Sequence, residues 1–227
     1  MTLRTAQKRL MRPVARAADA PEDMRDAVMR LKRERIVAAA VELFYSQGYA
    51  RTTLEQVADA IQMTKPFIYQ YFKSKNELLA EICGHAIKVA HEALNRALVQ
   101  QGTPTARLEA ISRDFMLTVL THQANAVIYS REEKELEPKD RDGINALRRA
   151  FDHRLVALLK EGVAAGEFQV DDVHLTALAV GGIVGWSQVW FRPAGRLTRE
   201  EASDGIAALV LAMVRAKPRP KRKGGDS

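Results

Sequence analysis

Apolar residues return at three- and four-residue steps in one segment after another, the spacing that places side chains on one face of an α-helix. Ile36, Ala40, Leu43 and Phe44 mark a helix over 33–47 that stops at Gly48, and Leu54, Val57, Ala58 and Ile61 mark a short second one. Ile68 and Phe72 give a third, and Leu78, Leu79, Ile82, Ala86, Val89, Ala93 and Leu94 a long fourth over 76–100. Thr103-Pro104 opens the next, through His122, with Leu108, Ile111, Phe115 and Val119 inward. An amphipathic stretch over 124–136 carries Tyr129 and the acids Glu132, Glu133 and Glu135, a solvated face in the plainest reading. Beyond Pro138, Ile144, Leu147, Phe151, Leu155 and Leu158 form one stripe of a helix over 140–165. The pattern predicts an all-α protein.

The last two segments depart from this simple amphipathic form. The helix that Asp171 or Asp172 caps runs to Phe191 and contains Gly181, Gly182 and Gly185. Each glycine costs about 1 kcal/mol relative to Ala inside a helix. Something must therefore approach the backbone there, a partner helix or a ligand, with Trp186 and Trp190 as a flat apolar wall; core packing is the simpler alternative. Thr198 to Glu201 is a capping box that opens the final helix, whose 205–214 stretch is apolar all the way round. A small domain cannot cover such a helix on every side. The expectation is a two-fold dimer in which the last two helices pair as a four-helix bundle, with Gly181, Gly185, Ile206, Leu209, Val210 and Met213 at the interface.

Candidate chemistry concentrates between residues 53 and 76. Thr53 and Gln56 form a capping box at the start of the second helix, so its first residue is well marked. Gln62 and Met63 make a turn too tight for a loop, and Pro66 sits early in the third helix, where its missing N–H costs nothing. This is a helix-turn-helix. With Ile68 and Phe72 inward, Thr64, Lys65, Phe67, Tyr69 and Gln70 point outward, one cation among hydrogen-bonding groups and rings, suited to a DNA major groove and its phosphates. Ser74 and Glu77 form another box, and the lysines at the following helix start point to an external phosphate, with Lys75 ahead of Arg51 as its holder.

Charge sharpens this picture. The 227-residue chain carries a net +7, yet basic residues gather in 1–35 and 215–227, framing a body that is acidic on balance. A general polyanion-coating surface is not the expectation from this division of charge, and Arg30, Lys32, Arg33 and Arg35 lie nearest the duplex if the arm before the first helix touches DNA. A single cysteine, Cys83, rules out an internal disulfide and fits a buried structural thiol. With 47% hydrophobic residues, no signal peptide and no membrane span, the expectation is a cytoplasmic protein with a real core. His85 and His91 fall on different helix faces, so no metal site is expected, and no cofactor.

The stretch LFYSQGYARTTLEQVADAI followed by MTKPFIYQYFKSKNELL resembles the DNA-binding domain of the tetracycline-repressor (TetR) family. The family often has Gly or Asn where Gln62 stands, at a turn position that wants a left-handed backbone. The resemblance implies a flexible arm over 1–29, a DNA-binding domain over 30–76, a ligand-binding and dimerisation domain over 77–216 and a basic tail over 217–227. It also implies a regulator released from palindromic DNA by a small molecule. The DNA contacts expected are Arg33, Arg51, Thr52, Thr53, Thr64, Lys65, Pro66, Phe67, Tyr69, Gln70, Tyr71 and Lys75.

For the ligand, WFRPAGRLTREE and REEKELEPKDRDGINALRRAFD look like a TetR subgroup that senses acyl-coenzyme A thioesters. That likeness implies Arg148, Arg149, Arg192 and Arg196 at the phosphates, and Phe115, Tyr129, Trp186 and Trp190 around the acyl group. A sensor of lipophilic cations using Glu132, Glu133 or Glu135 stays open, as does a ligand-free architectural DNA binder. An enzyme finds no support: the sequence has no phosphate loop after a strand, no paired-His spacing and no nucleophile elbow.

Overall fold

The computed structural model describes residues 24–99 and 102–215, and among them the chain is helical throughout. Ten α-helices follow in order: α1 (Met24–Gln47), α2 (Leu54–Ala60), α3 (Lys65–Tyr69), α4 (Lys75–Val99), α5 (Pro104–Thr121), α6 (Gln123–Glu132), α7 (Pro138–Ala164), α8 (Val173–Gly185), α9 (Ser187–Trp190) and α10 (Arg199–Arg215). A 3-10 turn, Glu133–Glu135, separates α6 from α7. The first helix thus reaches back to Met24, and residues 24–29, expected in a flexible arm, belong to it. The rest of the arm, 1–23, and the tail, 217–227, lie outside the described residues.

Side-chain caps mark several of these boundaries. Thr53 and Gln56 exchange both bonds of their box, and the Thr103 hydroxyl accepts from the Ala106 amide ahead of Pro104. Asp172 accepts from the amides of His174 and Leu175, and Thr198 and Glu201 exchange both bonds at α10. The box before α4 is only half made: Ser74 receives the Glu77 amide at 3.0 Å, while the Glu77 carboxylate takes the Lys73 amide at 2.6 Å. The expected single helix to Phe191 is broken at Trp186, which separates α8 from α9.

Two hydrophobic clusters form. One joins α4, α5, α7, α8 and α10 around Leu108, Met116, Phe151, Leu155 and Val180. The other holds the head together, with Ile36, Phe44, Val57, Ile68 and Phe72, and it does not stop at residue 76. Leu78, Leu79, Ile82 and Cys83 of α4 belong to it, and so do Ile128, Leu136 and Ile144. Asn76 fastens the same seam, donating to the Glu135 carbonyl at 2.6 Å and accepting the Glu137 amide at 3.3 Å.

α10 lies against α5 and turns Ala202, Ile206, Ala207, Val210 and Val214 into the core. Ile206 and Val210 therefore fill the protomer, contrary to their expected place at an interface, because α5 covers the face they occupy. Leu209 is 60% exposed, and Met213 is half-buried. On α8 and α9, Leu175, Leu178, Trp186, Val189 and Trp190 are all exposed, an outward apolar stripe. Gly162 is one position where close approach demands glycine: an added Cβ would sit 2.0 Å from the buried Phe168 ring.

Candidate nucleic-acid interface and internal cavity

The turn between α2 and α3 is closed by the Gln62 amide donating to Asp59 and the Met63 amide to Ala58, at 3.0 and 2.9 Å. This geometry gives Gln62 a φ of +58°, the left-handed backbone expected at that position. Ile68 and Phe72 are fully buried beneath α3. Thr64, Lys65, Pro66, Tyr69 and Gln70 are exposed together on its outer side. The Thr64 hydroxyl makes no capping bond, and Lys65 is paired with Glu55 of α2, which raises the lysine's pKa and lowers the carboxyl's. A phosphate that takes Lys65 shares the ammonium with that carboxylate or displaces it. The outer face can thus offer a hydroxyl, an ammonium, a phenol and an amide to a groove about as wide as a helix.

Other expected contacts turn inward. Thr52 is fully buried, its hydroxyl donating to the Gly48 carbonyl at 2.9 Å, because it packs the turn from α1 to α2. Lys75 directs Nζ at the carbonyls of Tyr49 and Thr52, 2.9 and 3.0 Å away, and lies 4.2 Å over the Tyr49 ring. It fastens the loop that precedes α2. Arg33 bonds the Glu81 carboxylate at 2.9 Å and the Tyr71 carbonyl at 2.8 Å, with its guanidinium 4.1 Å over the Phe72 ring. That pairing holds the Glu81 carboxyl below its ordinary range. Phe67 and Tyr71 are half-buried and tilted against each other at 5.2 Å, so neither projects fully as expected. Arg51 and Thr53 stay exposed; Arg51 donates to the Gln47 carbonyl at 2.7 Å, and the Thr53 hydroxyl serves its cap. Periodicity cannot separate a cation aimed at solvent from one folded back onto a carbonyl.

A cavity of about 320 Å³ opens among α4, α5, α6, α7 and α8. Phe115, Val119, Ala126, Ile144, Phe151 and Leu178 supply its apolar wall; Tyr129, Arg148, Asp152, Asn125 and Gln188 supply the polar groups. Arg148 donates to the Tyr129 hydroxyl at 3.1 Å and lies 5.0 Å over its ring. Burial pushes the Cys83 thiol and the Tyr129 phenol up to about 12 and raises the Asp152 carboxyl. The thiol and phenol are neutral at physiological pH, and Arg148 is the one cation in the wall. Such a cavity suits an apolar group joined to an anionic or acceptor-bearing part.

Of the residues expected at the ligand, Phe115, Tyr129 and Arg148 are in this wall. Arg149 is not, and neither are Trp186 and Trp190, which are 63% and 40% exposed and lie beyond the end of α8 at Gly185. Arg192 lines a separate groove with Tyr45 and Arg131. Gly181 and Gly185, expected at a dimer interface, line the cavity, and an added Cβ at either meets nothing within 4 Å. Glu132, Glu133 and Glu135 take no part in the wall. Sequence reasoning missed Asn125, Phe151 and Asp152 as wall residues. Phe151 and Asp152 follow Arg148 by three and four positions on one helix, a spacing that could have found them.

Among the described residues there is no cluster of metal-binding side chains, and no helix is long and apolar enough to cross a membrane. Comparison with known proteins places both halves. Residues 36–82 match the tetR family of bacterial regulatory proteins, and residues 101–214 match the tetracyclin repressor-like C-terminal domain. The transcriptional repressor KstR2 of Mycolicibacterium smegmatis is 28% identical over 185 residues, covering 79% of this chain and 89% of that one. The TetR-family regulator PfmR of Thermus thermophilus is 31% identical with a TM-score of 0.73, over 82% of this chain and all of the other. AibR, solved with isovaleryl coenzyme A and operator DNA, is 26% identical with a TM-score of 0.67, over 78% of this chain and 97% of its own. With a helix-turn-helix domain model matching its N-terminal part and a repressor-like domain model matching the helical body behind it, the chain belongs to the TetR family of DNA-binding transcriptional regulators.

Proposed function

We propose that this regulator is a dimeric repressor, held on palindromic DNA by α3 and released when an acyl-coenzyme A thioester places its acyl group in the cavity. The observation that carries this reading is the cavity itself: an apolar chamber whose polar wall centres on Arg148 bonded to Tyr129. AibR, which shares the fold and was captured with such a thioester and operator DNA, supports the ligand class; KstR2 supports repression. An acyl group fits the apolar wall, and a guanidinium suits the charged remainder. The lipophilic-cation alternative loses ground, since Asp152 is the one acid in the wall and burial raises its pKa.

Dimerisation rests on the outward stripe of Leu175, Leu178, Trp186 and Val189 on α8 and α9, joined by Leu209 of α10. An apolar face of this kind on a soluble protein marks an interaction surface. Two heads related by a two-fold axis would reach successive major grooves about 34–36 Å apart, or a multiple of that. Calorimetry with isovaleryl, longer-chain and aromatic thioesters, alongside tetraphenylphosphonium, with release of a selected duplex as readout, tests the ligand class. Binding and release by a thioester are expected. Release by the cation alone, or a monomer in sedimentation, overturns the corresponding part.

A further inference from the structure

One polar side chain in the cavity wall is almost wholly enclosed: Asn125 of α6, 8% exposed. It faces the cavity on one side and, on the other, the groove between α1 and α4 that holds Arg33, Glu81, His85 and His122. Its Nδ2 donates to the Ile82 carbonyl of α4 at 3.1 Å. A carbonyl inside a helix has one lone pair left for such a donor. A buried amide costs free energy unless paired, so breaking this bond without a substitute partner is unfavourable; offering a substitute makes exchange easy.

The groups beyond Ile82 continue the path. Glu81, its neighbour, holds the Arg33 guanidinium, and Arg33 holds the carbonyl of Tyr71, just past the end of α3. Apart from the backbone step between Ile82 and Glu81, each link is a directional bond that is either made or broken, the kind of contact that gives an interface two arrangements rather than a continuum.

We propose that Asn125 is the residue through which occupancy of the cavity reaches the recognition helix. An effector that presents an oxygen acceptor, such as a thioester carbonyl, draws the Asn125 amide off Ile82. The α4 backbone then moves relative to α6 and carries Glu81, Arg33 and the Tyr71 end of α3 with it. This inference rests on the effector reading above for its physiological meaning, while the mechanical link is a property of the unliganded chain.

The test is hydrogen exchange by mass spectrometry on the full chain, without DNA, for wild type, Asn125→Leu, Arg33→Gln and the double variant. Asn125→Leu should speed exchange in 64–73 by about threefold or more, since the opening free energy of that segment falls. In the Arg33→Gln background it should add nothing, because the link is already cut. Faster exchange confined to 78–90, or two effects that simply multiply, overturns the relay. Asn125→Ala serves if the leucine variant does not fold. Isovaleryl coenzyme A then separates the two readings. A change in 64–73 in wild type that is lost in Asn125→Leu supports the relay; an equal change in both overturns it and leaves the effector assignment intact. Absence of thioester binding counts against the effector assignment, and the ligand-free comparison still decides the relay.

Discussion

Replacing Lys75 with Met separates a structural lysine from a phosphate-binding one. The methionine keeps an apolar stem against Tyr49 and removes two bonds, to the Tyr49 and Thr52 carbonyls at 2.9 and 3.0 Å, together with the ammonium 4.2 Å over the ring. A hydrogen bond from a charged donor contributes about 1.5–3 kcal/mol when well shielded. Lys75 is half-buried, so roughly 2 kcal/mol for the pair and about 0.5 kcal/mol for the ring contact is a fair sum. For a chain of this size that corresponds to a melting point lower by roughly 5–10 °C. Binding to duplex DNA, measured by fluorescence anisotropy over a series of salt concentrations below the melting range, should keep its salt slope. A lysine that neutralises a phosphate would instead flatten the slope by about 0.9 and leave melting nearly untouched. That second pattern would refute the structural role argued for Lys75.

Four further outcomes follow from the same geometry. Gln70→Ala, at the exposed end of α3, should relax operator choice by roughly 1–3 kcal/mol; equal weakening on operator and random duplex counts against a base contact. Gln62→Gly relieves a left-handed φ of +58° and should raise the urea midpoint by the equivalent of about 1 kcal/mol, an unchanged or lower midpoint being the adverse result. Gly185→Val adds volume where nothing lies within 4 Å, so thioester binding by calorimetry should fall while the melting point holds or rises; unaltered binding speaks against a ligand beside Gly185. The Glu81 carboxyl is depressed chiefly by its bond from Arg33, from an ordinary value of 4.5. Its stabilising share is present above pH 4.5 and is lost as pH falls through the lower folded value. Glu81→Gln should therefore lose stability near neutrality and show a shallower acid decline than wild type, and parallel acid profiles would contradict this.

The periodicity of the sequence carried most of the fold, because the helices bury apolar stripes and several begin at a cap visible in the residue types. Thr53 with Gln56, Thr103-Pro104 and Thr198 with Glu201 are local signals that tertiary structure left undisturbed. The helix-turn-helix was legible for the same reason, down to the left-handed Gln62. What the sequence hid depends on partners distant in the chain. Nothing near Arg33 announces that Glu81, 48 residues on, will claim it. The final helix read as apolar on every side, and the sequence did not show that α5 would cover Ile206 and Val210. The glycines of α8 suggested a close approach to the backbone, yet within the chain an added Cβ at Gly181, Gly182 or Gly185 meets nothing within 4 Å, and no local rule marked the end of α8 before Trp186.

Because Ile128, Leu136 and Ile144 from the body complete the cluster around Ile36, Phe44 and Phe72, the reading head shares its core with the body. A fragment cut after the third helix would leave Ile68, Phe72 and their neighbours without the part of their cluster that α4 and the body supply, and grafting these first eighty-odd positions onto a cousin's body would demand matching side chains at the seam. Evolution of new DNA preferences in this chain is therefore confined to the outer skin of the wedge, while its underside must change in step with the sensor it sits on.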